Sequence, residues 1–214
     1  MRTVEIQLFK ASELTEDARE RARRWYRELE AQDFGSHGEI YEPAQTAAAL
    51  VGIEFASNTV KLMGGGTRIE PDIRWSGFSS QGDGASFVGT YRYAKGSSRA
   101  VRKEFPMDKE LHRIADGLAT LQRSHGYKIE AQAEQTGRYV HSRTMYAYLL
   151  NPSDKLMEHE SEVLDPLNEL LRDFADWIYR GLEEEYEYRL SDEAIDEGLE
   201  ANEYDFTADG RRFS

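Results

Sequence analysis

Hydrophobic and polar positions recur along this chain with periods that assign most of its elements. Val4, Ile6 and Leu8 alternate with Glu5 and Gln7, the two-residue period of a strand. Thr15 is placed to cap a helix that opens with Glu16 and Asp17. Leu14, Ala18, Ala22, Trp25, Tyr26 and Leu29 then form its apolar stripe. A second helix is expected from Ile40 to Leu50, stopped by Gly52, followed by an extended run from Ile53 to Met63 and a flexible loop at Gly64-Gly65-Gly66.

Two hairpins are expected next. Ile69 to Ser79 and Ala85 to Tyr93 flank the turn Gln81-Gly82-Asp83-Gly84. A four-residue turn would set Phe78 opposite Phe87 and Arg74 opposite Tyr91. Asp108 starts a helix carrying Leu111, Ile114, Leu118 and Leu121, and Gly126 stops it. The second hairpin turns at Thr136-Gly137, which predicts Val140 opposite Ala133, Thr144 opposite Ile129, and Arg143 facing Glu130. Trp75, Val88, Ile129, Ala131, Val140 and Thr144 are expected to be buried or nearly so. Asp165-Pro166 reads as a helix start, with Leu167, Leu170, Leu171, Phe174, Trp177, Ile178 and Leu182 at helical spacing. Ser191 caps a last short helix through Leu199. The whole predicts an α+β fold: an antiparallel-rich sheet built from two hairpins and an N-terminal strand, flanked by helices. One domain is expected, with a mixed core over 1–150 and an acidic helical region over 151–214 packed on it.

Charge changes the picture. The net charge of −13 is unevenly placed: residues 1–150 hold 20 acids and 21 bases, and residues 151–214 hold 20 acids and 6 bases. The chain has no cysteine, so disulfides, thiolate metal sites and thiol catalysis are excluded. No apolar run of bilayer length is present, and the first residues lack the apolar core of a signal peptide. A cytoplasmic protein is expected.

Catalytic patterns are weak. Gly64-Gly65-Gly66-Thr67 lacks the Lys of a phosphate-binding loop, and the Ser79–Gly84 stretch lacks the alternating oxygens of a calcium loop. His112 and Asp116 read as a surface pair. Glu158-His159-Glu160 with Glu162 offers one histidine to a divalent ion, too few for a defined site. Phe78, Phe87, Tyr91 and Tyr93 beside Arg74 and Arg92 could stack nucleobases, yet sheet aromatics more often fill a core, and the net charge opposes phosphate binding. No cofactor is expected.

The C-terminal acids carry the most weight. Glu183, Glu184, Glu185, Glu187, Asp192, Glu193, Asp196 and Glu197 are opposed locally only by Arg189. On a helix face their carboxylates recur at spacings comparable to phosphates along a duplex. Such a face suits a basic, nucleic-acid-binding surface on another protein. Ser80, Gln81 and Asp83 form a second polar contact candidate.

The segment Trp75-Ser76-Gly77-Phe78-Ser79-Ser80-Gln81-Gly82-Asp83-Gly84-Ala85-Ser86-Phe87 resembles the hallmark of a phage and prophage protein family. Its members carry the label "antitoxin of toxin–antitoxin stability system". The similarity continues through Tyr91–Gly96, Leu111–Ala115, Ile178–Arg180, Glu184–Tyr188 and Ala201–Tyr204. The resemblance implies a small protein of a mobile element in a bacterial cell and transfers no catalytic residue. Together with the charge it leads to one expectation: a phage accessory protein of the anti-CRISPR or anti-restriction kind. Its partner would be a host protein or ribonucleoprotein with a basic surface, without direct nucleic-acid or membrane binding. The rivals are an antitoxin that neutralises a toxin protein, and a metal-dependent nucleic-acid hydrolase in which Asp72, Asp83, Glu130 and Glu134 would converge.

Overall fold

The computed structural model describes residues 5–34, 38–62, 64–150, 153, 157 and 160–213. Contacts gather the chain into two compact units, Gly38–Gly181 and Met1–His37 with Leu182–Ser214. The mixed α+β class expected from the pattern is present.

The larger unit is organised by three bent strands. β1 (Ile53–Phe55) and β2 (Ser57–Lys61) are one run turned at Ala56; β3 (Thr67–Pro71) and β4 (Ile73–Ser76) turn at Asp72; β5 (Gly84–Phe87) and β6 (Gly89–Tyr91) turn at Val88. Each run changes partner at its bend: β1 pairs with β6, β2 with β3, and β4 with β5, all antiparallel. The bends close a ring of backbone bonds. Ala56 N–H donates to Val88 O at 2.8 Å, Val88 N–H to Asp72 O at 3.0 Å, and Asp72 N–H to Ala56 O at 2.7 Å. These backbone groups therefore stay satisfied where straight ladders end. Gly89 is required beside the ring, because a Cβ there would lie 2.4 Å from the Glu54 carbonyl oxygen. The buried Asp72 carboxylate accepts from Arg74 Nε and Nη2 at 2.8 and 2.9 Å, so its charge is matched.

β7 (Ala131–Gln135) and β8 (Met145–Leu149) extend the sheet to the order β1-β6-β7-β8. α2 (Glu42–Val51) leads into β1 through Gly52, whose φ of 89° and contact with the Arg92 carbonyl suit only glycine. α3 (Ser97–Glu104) and α4 (Lys109–Ser124) follow β6. Gln122 of α4, fully buried, donates to Ile129 O at 2.8 Å and accepts from Ile129 N–H at 3.2 Å, standing in for a strand partner. Asp108 caps α4 through Leu111 N–H and also accepts from Trp177 Nε1 at 2.6 Å. Trp177 lies on α5 (Glu160–Arg189), where Leu167, Leu171, Phe174, Ile178 and Leu182 of the expected stripe are buried, Leu170 and Trp177 are half-buried, and Val163 is buried as well. Phe174 meets Phe87 edge-on at 5.9 Å and stacks with Trp177 at 5.5 Å, while Phe55 meets Phe87 at 5.3 Å.

Five expectations are corrected. Asp83 accepts from Ser79 N–H, Ser80 N–H and Ser80 Oγ and so shapes a Gly77–Asp83 loop longer than the expected turn. The register becomes Ile73 opposite Phe87 and Trp75 opposite Ala85, and Tyr91 pairs with Ile53 rather than Arg74. In the second hairpin, Thr136 N–H donates to Thr144 O and the Gln135 side-chain amide donates to the Thr136, Gly137 and Tyr139 carbonyls. That holds a wide loop, with Ala133 opposite Ala147 and Arg143 exposed rather than facing Glu130. Ile129 and Ala131 are buried, whereas Trp75, Val88, Val140 and Thr144 are half-buried beside bends and loop. No N-terminal strand forms among the described residues: Ile6 is exposed, only Phe9 bridges Phe206, and Val4 lies outside them. Pro166 sits inside α5, which begins before it.

The smaller unit packs α1 (Glu16–Asp33) with α6 (Asp192–Ala201). Ala18, Ala22 and Tyr26 meet Ile195, Leu199 and Phe206. A Cβ at Gly198 would fall 2.4 Å from the Tyr26 ring, so glycine sets the helix approach. Burial, together with a hydrogen bond to Glu30, pushes the Tyr26 phenol up to about 12. The acidic C-terminal segment thus shares a unit with the N-terminal helix.

Replacing Phe174 with Ala empties a site with 0% exposure and is expected to cost about 3–5 kcal/mol. Urea unfolding of the full chain checks this; a midpoint equal to the parent's would show that the stripe does not carry the larger unit.

Candidate acidic interface

α1 presents arginines at one-turn spacing, and they meet the C-terminal acids within the smaller unit. Arg23 Nε and Nη2 each donate to Asp196 at 2.7 Å, a bidentate pair. Arg27 donates to Leu190 O at 3.0 Å and to Asp192 at 2.5 Å, closing the end of α5 and the start of α6 together. Lys10 pairs with Asp205 at 2.8 Å, and Arg189 pairs with Glu185 at 2.6 Å. The Arg23 guanidinium holds the Asp196 carboxyl below its usual range and is itself raised by that hydrogen bond. Asp192, Asp196 and Glu185 are therefore engaged internally.

Other predicted contact acids are not. Glu184, Glu187, Glu193 and Glu197 are exposed and Glu183 is half-buried, and none of the five makes an ion pair among the described residues. Glu193, Glu197 and Glu200 follow one another at i, i+4 and i+7 on α6, which places them on one helix face. Residues 1–37 and 182–214 together hold 20 acids and 10 bases, against 20 and 17 for 38–181. The negative excess belongs mainly to the smaller unit even after the α1 arginines are counted. The Arg19, Arg23, Arg27 repeat was available in the sequence as an i, i+4, i+8 ladder.

Ser80, Gln81 and Asp83 lie in the other unit. Ser80 and Asp83 hold one another, and three hydrogen bonds, first that from Ser80 N–H, keep the Asp83 carboxyl below its usual range. Gln81 stays exposed at the tip. Phe78 stacks on Trp75 at 5.1 Å, and Tyr179 Oη donates to Gly77 O at 3.1 Å. Of the four sheet aromatics, Phe87 and Tyr91 are core at 0% and 2% exposure, Phe78 and Tyr93 are half-buried, and burial pushes the Tyr91 phenol up to about 12.

Among the described residues no group of three or more His, Asp or Glu is placed to hold an ion; Glu158 and His159 lie outside them. Asp72 is tied to Arg74, and Glu134 accepts from the Tyr146 and Tyr148 hydroxyls. Asp116 is clamped by Arg102 at 2.9 and 2.6 Å, while His112 faces Phe105 O instead of forming the expected pair. Among the described residues no helix is long and apolar enough to cross a membrane.

Residues 37–192 match the model of a family described as a domain of unknown function, DUF8835. The chain belongs to that family. No curated protein matches it, and no solved structure does. The DUF8835 match takes in the bent strands, the Ser80–Asp83 loop and the Glu183–Glu187 run. It ends at Asp192, so Glu193, Asp196 and Glu197 lie beyond it, as does α1.

The Arg23–Asp196 pair has a pH consequence. A carboxyl depressed in the folded state stabilises fully above the unfolded Asp pKa of ~3.9 and loses that contribution as pH falls through the folded value. Arg23→Gln is therefore expected to flatten the acid-side fall in urea midpoint. An acid limb identical to the parent's would show the pair adds nothing.

Proposed function

We propose that this chain is a non-catalytic binding protein that presents its acidic helical face to a basic, nucleic-acid-binding surface of a bacterial defence complex. In this reading it is a phage-borne inhibitor of the anti-CRISPR or anti-restriction kind. One observation carries the reading. Glu184, Glu187, Glu193 and Glu197 remain exposed and, among the described residues, without ion pairs, although five arginines stand on α1 of the same unit. The internal pairs fix the helices, and the acids left over supply the field. Such a field steers a cationic partner and is screened beyond about 8 Å at physiological salt. Tyr188, 54% exposed among these acids, adds aromatic contact area.

The antitoxin reading uses the same face against a toxin protein, and the identity of the partner separates the two. The hydrolase reading lacks comparable support, since Asp72, Asp83 and Glu134 are each engaged by another group.

The test is recovery of partners by the tagged full chain from bacterial lysate, with identification by mass spectrometry. The expected partner is a basic, nucleic-acid-binding protein whose recovery falls as salt rises. The variant combining Glu184→Lys, Glu193→Lys and Glu197→Lys should lose it while remaining folded, because exposed substitutions usually change stability by about 0.5 kcal/mol or less. Equal recovery by the folded variant would remove the acidic face from the mechanism.

A further inference from the structure

The two edges of the four-stranded sheet are treated differently. At β8, the odd-numbered residues turn their backbone groups outward, because Thr136 N–H to Thr144 O and Leu150 N–H to Glu130 O fix the even-numbered ones toward β7. Side chains of α5 engage two groups of that edge: Arg172 donates to Met145 O at 2.8 and 3.1 Å, and Asn168 accepts from Ala147 N–H at 2.7 Å.

Among the described residues the β1 edge has no such cover. Arg92 N–H to Gly52 O and Ala56 N–H to Val88 O fix the even-numbered residues of β1 toward β6. Asp72 N–H to Ala56 O and Leu62 N–H to Gly66 O do the same for β2 toward β3. Phe55, Ser57 and Thr59 therefore all turn N–H and C=O to one continuous outer edge that passes through the bend. No hydrogen bond engages these groups among the described residues. Beside this edge lies a groove of about 500 Å³, lined by Gln45 and Ala49 of α2, Phe55, Ser57, Ile69 and Arg92. Ile69 is 75% exposed.

We infer that the outer edge of β1–β2 is a strand-addition site that takes an extended, neutral-to-basic segment of a partner protein. Donors and acceptors alternating at every second residue along a line are complemented by another extended backbone. The exposed Ile69 and the half-buried Phe55 select apolar side chains at alternate positions of that segment. The larger unit holds 20 acids and 17 bases, a small negative excess that favours a neutral-to-basic segment over an acidic one, and the −13 of each whole chain opposes association with a second copy. The site lies within the larger unit and stands independently of the acidic face.

The probe is a displayed library of random peptides of about ten residues, long enough for one strand, selected on the full chain. Selected peptides are expected to slow amide hydrogen exchange at Phe55, Ser57 and Thr59. N-methylation at every second peptide residue in one phase should weaken binding by about tenfold for each methyl group, and in the other phase should leave it unchanged. Ser57→Pro removes one outward N–H, a change that edge strands tolerate, and should weaken binding by a similar factor. Absence of selected peptides, protection at other amides, or equal sensitivity of both methylation phases would overturn the assignment. So would concentration-dependent dimerisation that protects the same three amides, because a second copy would then cover the edge. The methylation series needs no variant and decides the matter even where Ser57→Pro fails to fold.

Discussion

The larger unit depends on the hydrogen-bonded ring at Ala56, Asp72 and Val88. A strand that bends normally strands a backbone N–H or C=O at the bend, at a cost of about 1–3 kcal/mol when the group is buried. Here each bend hands its groups to the next, so three such bends are satisfied by one another. The ring also couples the registers of three pairings. A slip of β2 against β3 would displace Ala56, and with it the β1–β6 pair. Apolar packing follows from this arrangement: Phe55 and Phe87 flank the bends and meet Phe174 of α5 in one aromatic cluster.

Some of this was legible in the sequence. The stripe of α5, the cap at Asp108 and the helix stop at Gly52 were read from spacing and residue type, because each depends on neighbours a few positions away. The bends were not. Nothing local marks Ala56 or Val88 as the place where a strand exchanges partners, and a continuous run from Ile69 to Ser79 reads as one strand. Asp72 offered a hint, since a carboxylate inside an apolar run needs a partner such as Arg74 two residues on. Both hairpin registers failed for a related reason. Asp83 and Gln135 use their side chains to hold wide loops, which turn-length rules do not anticipate.

The candidate interface was legible in composition and misjudged in detail. A run of carboxylates reads as uniformly available until its counter-charges are located. Asp192 and Asp196 belong to Arg27 and Arg23, almost the whole chain away in sequence. The acids therefore divide into those that hold α6 against α1 and those left to solvent. The family match does not follow that division: it ends at Asp192, with the exposed Glu184 and Glu187 inside it and the exposed Glu193 and Glu197 beyond it.

The side chains of α5 that engage β8 limit what the four-stranded sheet can become. Fibrils and open-ended sheet polymers grow because every added strand presents a fresh edge to the next molecule. Arg172 and Asn168 already hold Met145 O and Ala147 N–H at the far edge, which makes that edge a poorer template. Growth of this kind is therefore hindered from the β8 side of the sheet.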